Sequence, residues 1–63
     1  MDGKEVIRRL KAAGYEVVGV NGSHHMLRKP GKPKIPVPVH GAKDLKIGTL
    51  KNIERLSGVK LGK

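Results

Sequence analysis

With 63 residues and no cysteine, the chain has room for one small domain around one core, held without disulfide staples and offering no thiolate chemistry. Fourteen Lys and Arg against five Asp and Glu leave a formal charge of +9. That is beyond what solubility requires, and it puts polyanions first among partners, nucleic acid ahead of an acidic protein or a membrane surface.

Asp2 with Glu5 three residues later has the form of a capping box, and Val6, Ile7, Leu10 and Ala13 fall on one helical face before Gly14. A first helix over about residues 3 to 13 follows, with Lys4, Arg8 and Lys11 as a basic stripe on its other side. Tyr15 to Val20 is rich in β-branched residues and forms a first strand, in which Gly19 marks a bulge or a close approach. Asn21-Gly22 is then a two-residue hairpin turn of type I′, because both residues tolerate positive φ.

Ser23 to Lys29 pairs back as a second strand, with His24, Met26 and Arg28 on one face and His25 and Leu27 on the other. Leu27 belongs to the core, which leaves His24 on the open face or its rim and His25 nearer the helices. Pro30-Gly31-Lys32-Pro33 is a turn. Lys34 to His40 alternates Ile35, Val37 and Val39 against Pro36, Pro38 and His40. Two prolines lacking N–H groups on the same side make it an edge strand that no further chain can extend.

After a connecting loop, Leu50, Ile53 and Leu56 recur at helical spacing until Gly58, so a second helix covers about residues 48 to 57, with Lys51 and Arg55 neighbours on it. Val59 and Leu61 are placed to fold back past the glycine, and Gly62-Lys63 to fray. The expected fold is α+β in the order α-β-β-β-α. A three-stranded antiparallel sheet carries both helices on one face, because so thin a core covers only one side.

Histidine is the side chain whose unperturbed pKa, about 6.5, lies near neutrality. A turn that delivers His24 to an open surface therefore delivers a proton-transfer group to a polyanion. A metal site at His24-His25 is not expected, since neighbours in a strand point to opposite faces and no Cys or carboxylate cluster supplies further ligands. Ser23 has no G-x-S-x-G elbow or Asp partner, so it is read as a turn hydroxyl. No apolar run reaches the length of a signal segment or a membrane span, and a soluble cytoplasmic protein is expected.

The α-β-β-β-α order is that of double-stranded-RNA-binding domains. Four stretches sharpen the likeness: the opening helix ending at Gly14-Tyr15; Gly22-Ser23-His24 followed by His25; the strand end Pro38-Val39-His40; and Asp44-Leu45 with Gly48-Thr49-Leu50 and Ile53. In their order and spacing the chain resembles the HicA family of toxins, mRNA interferases of toxin–antitoxin systems, as a single domain over residues 1 to 63. It departs from the family pattern at Gly19, Pro36 and Lys46.

The resemblance implies a double-stranded-RNA-binding-domain-like fold and a metal-independent, cofactor-free endoribonuclease acting on mRNA. Its catalytic histidine is His24, placed by Gly22 and Ser23, and its partner is a HicB-type antitoxin that covers the histidine. RNA carries its own 2′-hydroxyl nucleophile, so the protein has to supply proton transfer, charge stabilisation and in-line positioning. Lys4, Arg8, Lys11, Arg28 and Lys51 are the candidates for holding RNA and stabilising phosphorane charge. His40 is a candidate second acid–base group if the strand ends converge, with a structural role at the strand end as the alternative. For the whole chain the rival readings are a noncatalytic RNA-binding module and a protein whose basic surface docks an acidic partner.

Overall fold

The computed structural model describes residues 1–61; the expected fraying of Gly62-Lys63 lies outside the described residues. Asp2 caps the first helix, α1 (Gly3–Ala12), its carboxylate accepting the Glu5 N–H at 2.9 Å. The capping box closes on that side alone, because the Glu5 carboxylate turns to Arg8 and Arg9. At the other end the Tyr15 N–H returns to the Leu10 carbonyl and the Gly14 N–H to that of Lys11, with Gly14 at φ 102°. This is the glycine-terminated Schellman pattern, and it aims the chain into the first strand.

Strands β1 (Glu16–Asn21), β2 (His24–Arg28) and β3 (Ile35–Pro38) form one antiparallel sheet in the order β1-β2-β3. Between β1 and β2 the register jumps, Val17 facing Leu27 and Gly19 facing Met26, so Val18 is the extra residue of a bulge. The bulge breaks the period-two alternation of this strand. It brings Val17 and Val20 to the same side, opposite Leu27 and His25, and leaves Val18 47% exposed. Gly19 is needed for no close approach, since a Cβ there meets nothing within 4 Å.

The hairpin turn falls one residue later than the sequence suggests. Asn21 pairs with His24, so the loop is Gly22-Ser23, and among the described residues no non-glycine residue has positive φ. Gly22 at φ 62° supplies the one positive angle that a type II′ turn needs, at its first central position. Pro30-Gly31 turns between β2 and β3, Gly31 at φ 81° and the Lys32 N–H on the Lys29 carbonyl, as in a type II turn.

β3 is shorter than the expected Lys34 to His40, stopping at Pro38, and within it the expected division holds. Ile35 and Val37 are buried opposite Leu27 and His25, whereas Pro36 and Pro38 lie opposite Met26 and His24 on the edge strand. Helix α2 (Ile47–Ser57) ends at Gly58, whose αL conformation (φ 74°) lets its N–H reach the Glu54 carbonyl. Beyond it Leu61 folds back until 1% exposed, its N–H on Glu54 Oε2 at 2.6 Å.

The core is Val6, Leu10, Tyr15, Leu27, Ile35, Val37, Ile53 and Leu61, drawn from α1, α2, the sheet and the tail, with both helices covering one face. Among the described residues one polar side chain, Ser57, is buried with them. Its hydroxyl donates to the Ile53 carbonyl at 2.7 Å and accepts the Val59 N–H at 3.0 Å. Residues 41–46 are tied down by the Leu45 N–H on the Met1 carbonyl and a bridge between Asp2 and Asp44.

Candidate active site

His24 opens β2 directly after the Gly22-Ser23 turn, with Asn21 as its partner on β1 and Pro38 on β3. The turn is pinned from the other side, where the Val39 N–H donates to the Ser23 carbonyl at 2.7 Å. Three strands therefore fix the backbone that carries the imidazole. The ring itself is exposed, as expected for the open face, and it lines a groove of about 410 Å³.

Pro36 and Pro38 form one wall of that groove, and Gly48, Thr49 and Asn52 of α2 the other. Gly48 leaves its stretch of wall clear, since a Cβ there meets nothing within 4 Å. Among the described residues His24 is the single ionisable side chain lining it. Asn52 Oδ1 accepts from Arg55 Nη2 at 2.7 Å. A guanidinium only donates, so the amide oxygen must face Arg55 and the N–H₂ is left to donate elsewhere.

A second groove, of about 280 Å³, continues from the first. Pro38 and Thr49 line both, and the second adds His40, Lys43, Asp44 and Lys46. A third, of about 450 Å³, lies on another side of α2 among Lys51, Arg55, Gly58 and Lys60.

The candidate RNA contacts are not gathered at His24. Arg28 shares the outer face of β2 with His24 but lies four residues along, about 13 Å away at strand rise. Lys51 belongs to the third groove. Lys4, Arg8 and Lys11 are exposed on α1. Arg8 pairs with Glu5 through Nε at 2.9 Å, while Arg9 Nε reaches the same carboxylate at 3.0 Å. Hydrogen bonds from Arg8 and Arg9 lower the Glu5 pKa from 4.5 to about 2, and the pairing raises that of Arg8.

His25 is half-buried on the helix side, and its Nδ1 has no hydrogen-bond partner among the described residues. Among the described residues no three His, Cys, Asp or Glu side chains gather as metal ligands, and no helix is long and apolar enough to cross a membrane.

Thr49 and Asn52 were not legible as groove residues. Their signal was the spacing of positions 48, 49, 52 and 56, which fall along one flank of a helix, beside the apolar stripe that defined α2.

The family model described as "HicA toxin of bacterial toxin-antitoxin" matches residues 3–59 of the chain, from the first helical residue to the turn beyond α2. No curated protein matches it.

Proposed function

The chain belongs to the HicA family of bacterial toxin–antitoxin toxins, and from that premise we propose that it is a metal-independent endoribonuclease that cleaves mRNA in the cytoplasm and is held silent by a HicB-type antitoxin. The observation that carries this reading is the exposed imidazole of His24, fixed by three strands at a groove between Pro36 and Pro38 and the start of α2. With a charge of +9 behind it, that groove suits a phosphodiester.

RNA brings the nucleophile. His24 takes the 2′-hydroxyl proton or returns one to the leaving oxygen, and the groove walls hold the chain in line. Thr49 and the Asn52 N–H₂ are hydrogen-bonding groups within the groove, suited to non-bridging oxygens or a base edge. Gly22 serves the site by holding the turn, and Ser23 by joining it to β3.

One observation favours the rival reading, a noncatalytic RNA-binding module: among the described residues no Lys or Arg lines the His24 groove to neutralise a developing phosphorane. The two readings separate on purified protein incubated with RNA in EDTA. The ribonuclease cleaves under those conditions; salt-sensitive binding with no cleavage at any salt concentration would establish the module instead.

A further inference from the structure

We propose that His40 is a second proton-transfer residue of the same site, sharing one scissile phosphate with His24; this rests on the ribonuclease reading and gives His24 the acid–base partner that the reading otherwise lacks. The β2–β3 register ends at His24 and Pro38, and one further backbone bond, the Val39 N–H on the Ser23 carbonyl, holds the chain against the turn just beyond it. His40 lies two residues beyond Pro38, the spacing that separates residues of one face where a chain stays extended. Since Pro38 is the register partner of His24, His40 follows two residues after the position opposite His24 and leaves the sheet at the same end.

The surface agrees with that register. His24 and His40 are both exposed, and their two grooves adjoin at Pro38 and Thr49. A phosphate seated at that junction is bordered by the groove that holds one imidazole and the groove that holds the other. Among the described residues no carboxylate lines the His24 groove. Around His40 stand Lys43, Lys46 and Asp44, the last paired with the Met1 amino group at 3.2 Å. Of these, Lys43 and Lys46 are cations lining the His40 groove that can offset phosphorane charge.

In-line cleavage places the entering 2′-oxygen and the leaving 5′-oxygen on opposite sides of phosphorus, so one imidazole serves both poorly and two serve them well. One ring, neutral, takes the 2′-hydroxyl proton as the 2′-oxygen–phosphorus bond forms. The other, protonated, gives its proton to the 5′-oxygen as the phosphorus–oxygen bond breaks. The products are a 2′,3′-cyclic phosphate and a 5′-hydroxyl, and exchange with solvent resets both rings.

The test compares the native chain with His24→Ala, His40→Ala and His40→Gln on an RNA oligonucleotide and on uridine 3′-(4-nitrophenyl phosphate), whose leaving group needs no proton. The expected kcat/KM profile on RNA is bell-shaped in pH for the native chain, and each alanine variant loses one limb and about 100-fold or more in rate. The variant lacking the acid keeps ester turnover within about tenfold of native, while the one lacking the base loses both substrates. Glutamine at 40 preserves a hydrogen bond but moves no proton, so it behaves as alanine does. Both limbs retained in His40→Gln, or equal losses on the two substrates in both alanine variants, would overturn the role of His40 alone. A native chain that cleaves neither substrate overturns the ribonuclease reading and the role of His40 with it.

Discussion

Gly3 and Pro38 meet through backbone alone: a Cβ on Gly3 would be driven into the Pro38 carbonyl oxygen and to 2.9 Å from Val39 Cγ2. The first residue of α1 is thus pressed against the strand residue that faces His24. Gly3→Ala gains about 1 kcal/mol at most from helix propensity. The clash, against backbone that cannot rotate aside, costs about 1–3 kcal/mol. The variant should unfold at lower urea than the native chain and lose more RNA cleavage than its lost stability accounts for, because the end of β3 is displaced. A raised urea midpoint would show that the contact relaxes freely.

Leu61 carries a disproportionate share of the fold. A domain of this size holds about 3–5 kcal/mol in total, and truncating a fully buried leucine removes about 2–5 kcal/mol. Leu61→Ala should therefore be substantially unfolded at 37 °C by circular dichroism. Val18→Thr, at an exposed bulge position, should leave the melting curve unmoved. A Leu61→Ala curve that coincides with the native one would mean that the tail does not belong to the core.

The Glu5 carboxylate gives the fold an acid-sensitive element. Its folded pKa, about 2, lies below the ordinary 4.5 because Arg8 and Arg9 donate to it. A depressed carboxylate contributes stability that is fully present above about pH 4.5 and is lost as pH falls toward 2. The native urea midpoint should exceed that of Glu5→Gln at pH 6, with the gap closing across that window. A gap that stays constant down to pH 2 would contradict the assignment.

Much of this was legible in the sequence because the relevant signals are local. Gly14, Gly31 and Gly58 stop or turn the chain where their positive φ is required, and the proline pair marks the edge strand. The errors arose where two residues compete for one task. Asn21 and Gly22 both tolerate positive φ, but a turn that needs it once takes the glycine and shifts by a residue. Glu5 was matched to the cap at Asp2, whereas two arginines a turn away hold its carboxylate more strongly than one N–H does. The groove partners of His24 depend on how α2 docks beside β3, which no local pattern encodes. Ser57, buried and bonded twice within its own turn, reads in sequence as an ordinary exposed helix residue.

The +9 charge predicts how the proposed antitoxin finds this chain. A partner surface complementary to it is steered electrostatically, so the association rate should fall by an order of magnitude or more as salt is raised from 50 to 500 mM. Stopped-flow mixing with the antitoxin measures this. A rate indifferent to ionic strength would assign recognition to apolar contacts.

The most direct measurement is RNA cleavage in EDTA by the native chain and by His24→Ala, with circular dichroism confirming that both are folded. The imidazole is exposed, so its removal should leave the unfolding free energy within about 0.5 kcal/mol of native while cleavage falls by about 100-fold or more. Cleavage undiminished in a folded His24→Ala protein would contradict the assignment of the site.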